Sequence, residues 1–398
     1  MSGASNGPLA GFRVVDASAV ISGPLATMML ADQGADVIKV EAPGVGDPTR
    51  LLGATRGGIT SLYLNCNRGK RAIVVNLRHE LGRGVLSRLI QTADVFVQNF
   101  RPGVAERMGF GYEAVRELAP EIVYVSISGF GESGPLARSK VYDNVVQALS
   151  GMPAAQADPE TGRPELVRNL VVDKATAYTV AQAVTAALLA RERGAGGQHV
   201  RVSMLDVALA FFWPDGMMNH TLLAPDALRI PPIGTIYRVY RAADGYITLA
   251  GLTDEEWAGV CRAIEREDLI EDPRFASAFA RLSNMNALRE VLAETLATRP
   301  VADWCERLAA HDVAHAPVLD FEEVHAHPQV QASEALLERE HPSAGPLREA
   351  RPAARFSATP APGGPPAPQP GEHTDAVLAE LGYGGEEIRR LREAGAVA

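Results

Sequence analysis

The stretch "FRVVDASAVISGPLATMMLADQGADVIKVEA" (12–42) decides how this chain is read. "FRVVDA" (12–17) is a short apolar run of strand type. "GPLATMMLADQG" (23–34) has Pro24 in a first-turn position and Gly34 at its close, which predicts a helix. "DVIKVEA" (36–42) is a second strand-like run. Strand, helix and strand within about 30 residues predict a right-handed βαβ unit and a parallel sheet.

The alternation continues outward. "RAIVVNL" (71–77) and "DVFVQNF" (94–100) are strand-like, with a helix-like segment at 79–92 between them. A short helix at 112–119 leads into the strand "EIVYVSISG" (121–129), and "GQHVRVSM" (197–204) adds another. This pattern predicts an open, doubly wound α/β domain. Near 225 the character changes. Pro, Gly and Tyr crowd 225–245, then "GYITLAG" (245–251) and helix-like segments at 254–266, 284–298 and 300–311 follow. These predict a smaller α+β domain over 226–320. Residues 357–371, "SATPAPGGPPAPQPG", are Pro-rich and expected to run extended, and "TDAVLAELGY" (374–383) reads as a short amphipathic helix.

The bulk numbers bound the function. The chain has 398 residues, 46% apolar and 22% charged, which is ordinary for a protein with a sizeable core. A net charge of −10 argues against a nucleic-acid footprint but leaves room for a local basic pocket. Cys66, Cys261 and Cys305 are odd in number and widely spaced, with no CxxC, so neither a disulfide framework nor a structural zinc site is expected. The first residues lack a basic n-region and an apolar h-region, and no run of 18 apolar residues occurs. A reducing cytoplasmic setting is therefore expected.

Three motifs invite chemistry. "GFGESG" (129–134) spells G-x-G-x-x-G, but Pro135 follows and no helical period begins, so a turn or ligand loop is expected in place of an NAD site. "HDVAH" (311–315) imitates a zinc helix, yet Pro317 breaks the helix and the motif's Glu is an Asp; no metal is expected. "NFRPG" (99–103) and the 126–135 loop follow parallel strands, the edge where open α/β sheets bind ligands, with basic residues nearby. A phosphate-bearing ligand fits that edge.

Asp173 stands in "RNLVVDKATAYTVAQAVTAALLARERG" (168–194). Ala177, Val180, Ala181, Val184 and Leu188 recur at helical spacing after it. The local pattern predicts a helix-capping aspartate, worth roughly 1 kcal/mol. A cap and a carboxylate nucleophile are compatible roles, since amides at a helix start would keep the carboxylate ionised.

The whole pattern resembles the class III coenzyme A transferases, the family of formyl-CoA transferase and carnitine CoA-transferase. The likeness rests on "VVDASAVISGPLATMMLADQGADVIKVEAPGVGDPTR" (14–50), "LYLNCNRGKRAIVVNL" (62–77), "ADVFVQNFRPGVAERMGFGYE" (93–113), "YDNVVQALSGM" (142–152), the 171–209 stretch and "GEHTDAVLAELGY" (371–383). The resemblance implies a Rossmann-like large domain built from both chain ends (1–225 and 321–398), a small α+β domain at 226–320, and an interlinked-ring homodimer. It implies a CoA-transferase moving CoA from an acyl-CoA donor to a carboxylic acid through an aspartyl-CoA thioester on Asp173, with coenzyme A as the only cofactor. By position it implies CoA contacts from Val20, Val75, Arg78, Asn99, Phe100, Arg107, Met108 and Lys140, with Tyr142 and Asp143 shaping the site. Ala42 stands where formyl-CoA transferase has an arginine, and Ile21 where it has a glutamine. The α-methylacyl-CoA racemases, a sister branch, offer the alternative of acyl-CoA isomerisation; their histidine falls on Tyr142, a poor α-proton base at neutral pH.

Overall fold

Six short strands carry alternating apolar side chains that leave in opposite directions, and this fixes a three-layer arrangement. The computed structural model describes residues 7–158, 161–361 and 363–398. Its strands are β1 (Arg13–Asp16), β2 (Asp36–Glu41), the small ribbon β3 (Thr55–Arg56) and β4 (Ile59–Thr60), β5 (Lys70–Val74), β6 (Val95–Gln98), β7 (Val123–Ser128) and β8 (Gln198–Ser203). Six of them pair in parallel in the order β5-β2-β1-β6-β7-β8. The order reverses between β1 and β6, which creates the crevice typical of doubly wound sheets.

The helices up to the end of this sheet are α1 (Ser22–Asp32), α2 (Ser61–Asn67), α3 (Glu80–Ile90), α4 (Val104–Arg107), α5 (Tyr112–Leu118), α6 (Asp143–Ser150), α7 (Met152–Ala155), α8 (Val171–Ala190) and α9 (Met204–Gly216). On one sheet face Val14, Val37, Val95 and Val123 pack against Ala26 and Leu30 of α1 and Ala177, Val180, Val184 and Leu188 of α8. On the other, Val15, Ile38, Ile73 and Phe96 pack against Val85, Leu86 and Leu89 of α3 and Val115 of α5. The chain's end closes this second layer, with Val377, Leu378 and Leu391 in the same core.

The chain divides into two compact units. One holds residues up to Phe212 together with Ser333–Ala398; the other is Trp213–Ala332. These limits differ from 226 and 320. The first division falls inside α9, whose Met204, Val207 and Ala208 lie in the large unit's core while Phe211 is exposed. The Pro-rich composition near 225 marks a loop; packing ends earlier. At the other end, Leu336–His341 and Gly345–Ala350 form a hairpin that stays with the large unit.

In the smaller unit β9 (Tyr240–Arg241), β10 (Tyr246–Ala250) and β11 (Ala314–Pro317) form an antiparallel sheet. The helices α10 (Asp254–Ala263), α11 (Ala278–Ser283), α12 (Met285–Leu296), α13 (Val301–Ala310) and α14 (Pro328–Ala332) accompany it. Trp257, Phe275, Leu292, Leu296 and Trp304 make its core, and the Trp304 indole N–H donates to Leu296 O at 2.8 Å. "HDVAH" straddles two elements: His311 ends α13 and His315 lies on β11, with the two rings carried by different backbone geometries. The zinc-like spacing is therefore not helical. Among the described residues no group of three His, Cys, Asp or Glu side chains is disposed to hold a metal ion. The same residues contain no helix long and apolar enough to cross a membrane.

The hairpin is formed by β12 (Leu336–His341) and β13 (Gly345–Ala350), and the chain closes with α15 (Thr374–Glu380) and α16 (Gly385–Glu393). Helices α2, α4, α6, α7, α9, α11, α14 and α16 go beyond the sequence expectation. All but α9 are short, and α2 is started by the Thr60 hydroxyl accepting from Tyr63 N–H, a signal carried by one residue.

Candidate functional site

The site begins where β1 ends. The Ala17–Ile21 turn follows β1 and hands over to α1, and three other strand ends lie beside it. Ala17, Ser18 and Ala19 after β1, Glu41 and Ala42 at the end of β2, Val75 to Arg78 after β5, and Phe100 after β6 line one cavity of about 530 Å³. This is the carboxyl edge of the sheet. Val75, Leu77, Phe100 and Met108 give it an apolar wall, and exposed Arg78 gives it a cation. The apolar wall suits a pantetheine-like chain and Arg78 a phosphate.

A second and larger cavity, about 860 Å³, adjoins it through Phe100 and is lined by Arg101, Arg107, Arg138, His199 and Arg201. Arg107 therefore faces a different hollow from Val75, Arg78, Phe100 and Met108, and its guanidinium lies over Gly103. Lys140 is exposed and lines neither cavity. Tyr142 is also exposed, at 71%, immediately before α6.

"GFGESG" forms a bend after β7, with Gly131 and Gly134 at positive φ, and no helix starts within it. Glu41, at the end of β2, accepts from the Arg50 Nε and Nη2 at 2.8 and 2.6 Å and from the Tyr63 hydroxyl at 3.0 Å, all buried.

Asp173 is not the helix cap. α8 starts at Val171 with Leu170 in the cap position, and Asp173 is the third helical residue. Val172, one residue earlier, is wholly buried in the same first turn. The cap is supplied from elsewhere: the Asp143 carboxylate, buried at the start of α6, accepts from the Asp173 N–H at 2.9 Å.

This arrangement reverses the electrostatic expectation for Asp173. Burial and the neighbouring Asp143 charge push its carboxyl up to about 6, while hydrogen bonds from the Ser22 hydroxyl and amide pull it partly back. A half-buried, raised carboxylate beside a like charge is a common signature of a reactive group.

Beneath the turn lies a charge cluster that sequence reasoning missed. Asp16, Lys39, Asp47 and Lys70 are all buried. Lys70 Nζ donates to Asp16 at 2.9 Å, and Lys39 pairs with Asp47 at 2.9 Å. Burial works against each charge, but the opposite partners outweigh it at Asp16, which is held below its usual range, and at Lys39, which is held above. At Lys70 burial wins and brings the amine down to about 8. A lysine inside the apolar run "DVIKVE" was the available signal, since an unpaired charge there would cost several kcal/mol, on the order of the penalty for a buried ion.

Comparison with known proteins agrees with this geometry. The CoA-transferase family III pattern matches residues 9–374. Human succinyl-CoA:glutarate CoA-transferase is 33% identical over 395 residues, covering 98% of this chain and 90% of that protein. The formyl-CoA:oxalate CoA-transferase of Streptomyces coelicolor is 35% identical over 412 residues, covering 98% and 99%. A crystal structure of a CaiB/BaiF family protein from Brucella suis superposes with a TM-score of 0.83 at 30% identity, over 94% of this chain and all of that one. A family match over nearly the whole length, with relatives at 33–35% identity, places this chain in CoA-transferase family III.

Proposed function

We propose that this acyl-CoA:carboxylate CoA-transferase works through a covalent thioester on Asp173. The observation that carries the reading is the carboxylate itself: half-buried in the first turn of α8, capped by Asp143 and addressed by Ser22. With its pKa near 6, about nine in ten molecules are ionised at pH 7, and partial desolvation leaves the anion reactive.

The steps follow from that anion. An Asp173 oxygen attacks the donor thioester carbonyl; the C–S bond breaks and CoA leaves as thiolate, giving a mixed anhydride. The thiolate attacks the aspartyl carbonyl, the anhydride C–O bond breaks, and the donor acid departs as carboxylate. The aspartyl-CoA thioester remains. The acceptor carboxylate attacks it and expels thiolate, and that thiolate then attacks the acceptor's acyl carbonyl. A new acyl-CoA leaves and Asp173 is free again. Coenzyme A enters as substrate, and the chain of Val75, Arg78, Phe100 and Met108 supports its placement along the sheet edge. Val20 and Asn99 contribute through the turn between β1 and α1. The assignment of Arg107 and Lys140 to CoA phosphates rests on position in the family alone. A homodimer is part of this proposal. Exposed Val145 and Leu149 on α6, Tyr178 and Leu189 on α8, and Phe211 on α9 support a covered face.

The test incubates the protein with a panel of acyl-CoAs, traps with hydroxylamine or borohydride, and maps peptides by mass spectrometry. The expected outcome is modification at Asp173, lost in Asp173→Ala together with transfer. Deuterium exchange at the acyl α-carbon without labelling would instead support isomerisation.

A further inference from the structure

The Ala17–Ile21 turn is held at more points than a connecting loop needs. Val20 has φ of 72°, a left-handed conformation that a β-branched residue adopts only under constraint. The constraint is visible. Asn99 clasps the Ala19 peptide from both sides, its Oδ1 accepting from Ala19 N–H at 2.9 Å and its Nδ2 donating to Ala19 O at 2.7 Å. Asp47 Oδ1 accepts from Val20 N–H at 3.3 Å. Lys39 Nζ donates to Ser18 O at 3.0 Å, and Asp16 accepts from Ser18 N–H at 3.0 Å. Four side chains from four separate segments thus pin three consecutive peptides.

The turn stands between two parts of the site. Ala17, Ser18 and Ala19 line the smaller cavity, and Ser22, the first residue of α1, lies near enough to Asp173 to lower its carboxyl. Buried Cys66 on α2 marks how close the cluster comes, because Lys70, Asp47, Lys39 and Asp173 all act on its thiol.

We propose that Asn99, Lys39 and Asp47 are positioning residues that clamp the Ala17–Ile21 turn in its left-handed form and thereby aim the Ser22 amide and hydroxyl at Asp173. Asn99 is then more than a ligand contact at the strand end: both halves of its amide are engaged by the protein's own backbone. The role in catalysis rests on Asp173 being the nucleophile; the geometry of the clamp does not.

The groups that face Asp173 are Asp143 from α6 and Ser22 from α1, with the Cys66 thiol of α2 behind. Burial and Asp143 raise the Asp173 carboxyl and Ser22 lowers it. Burial also pushes the Cys66 thiol up to about 11, so it stays neutral. Loosening the turn would weaken the Ser22 bonds alone and move the carboxyl further up.

The experiment titrates Asp173 without turnover. A water-soluble carbodiimide with glycine ethyl ester converts protonated carboxyls to amides, and peptide mass spectrometry follows the Asp173 peptide through the pH range around 6. In Asn99→Ala the midpoint is expected to rise by roughly half a unit to one unit, the scale of a hydrogen bond to a carboxylate. Asn99→Asp keeps the acceptor for Ala19 N–H and loses the donor, so it shifts the same way by less. Circular dichroism confirms that the variant compared is folded. A midpoint unchanged or lower in a folded Asn99 variant overturns the clamp. Loss of transfer with every acyl-CoA in the wild type would count against the proposed function and leave this titration readable.

Discussion

Asp173 shows how one residue's chemistry is set by its neighbours. An exposed aspartate, with a pKa of about 3.9, would be almost wholly ionised down to about pH 5, and the local pattern suggested a cap that would keep it so. Burial and Asp143 act in the opposite direction and lift it to about 6. In the proposed mechanism Asp173 must be ionised to attack, so activity is expected to fall as pH drops through about 6. The Asp143→Asn variant removes the like charge yet keeps an oxygen for the Asp173 N–H. Its acid limb is expected to move to lower pH, by up to about one unit. A pH profile of kcat/KM for the two proteins checks both statements; a limb that stays in place would show that Asp143 only caps the helix.

At the scale of elements, the α1 start is the tightest point near the site. Gly23 tolerates no side chain, because a Cβ there would lie 2.2 Å from Ser18 Oγ and 2.4 Å from Ser18 Cβ. Ser18 has no room to withdraw, since its hydroxyl and amide are both bonded to Asp16. Gly23→Ala must therefore push α1 away from the turn. A destabilisation of about 1–3 kcal/mol is expected, the usual range for overpacking, with a loss of transfer rate beyond what stability explains. Urea unfolding and kcat measured on the same preparation separate the two effects. Unchanged stability would mean that α1 slides without cost and that the turn is not rigid.

For the whole molecule, the buried ions set the response to acid. Asp16, Glu41 and Asp47 are each held below the ordinary range: burial opposes this, and Lys70, Lys39 and Arg50 outweigh it. A lowered carboxylate contributes stability that is present above its unfolded value and lost as pH falls through the folded one. Asp173 has the opposite sign: its contribution is present below its unfolded value and lost as pH rises through about 6. Three groups against one predict a net loss of unfolding free energy below about pH 4, measured by urea titration at successive pH values. Stability that rises on acidification would contradict the network.

The sequence by itself determined the parallel sheet, because apolar strands alternating with helix-length segments have few other ways to bury both faces. It also singled out the carboxyl edge of the sheet as the place for a ligand, since "NFRPG" and the 126–135 loop follow strands that the pattern located. It placed Asp173 at a helix start, because helical spacing from Ala177 to Leu188 is a local property. Tertiary structure alone decided the rest. Asp143 reaches Asp173 across 30 residues of chain, and Lys70 reaches Asp16 across 54. Asn99 closes on Ala19 across 80. Hydrogen bonds and charge pairs over such separations leave no period in the sequence; they exist only once the sheet has brought strand ends together. That is why Asp173 could be placed at a helix start by reading the chain, while its raised pKa and the Asn99 contacts to Ala19 could not.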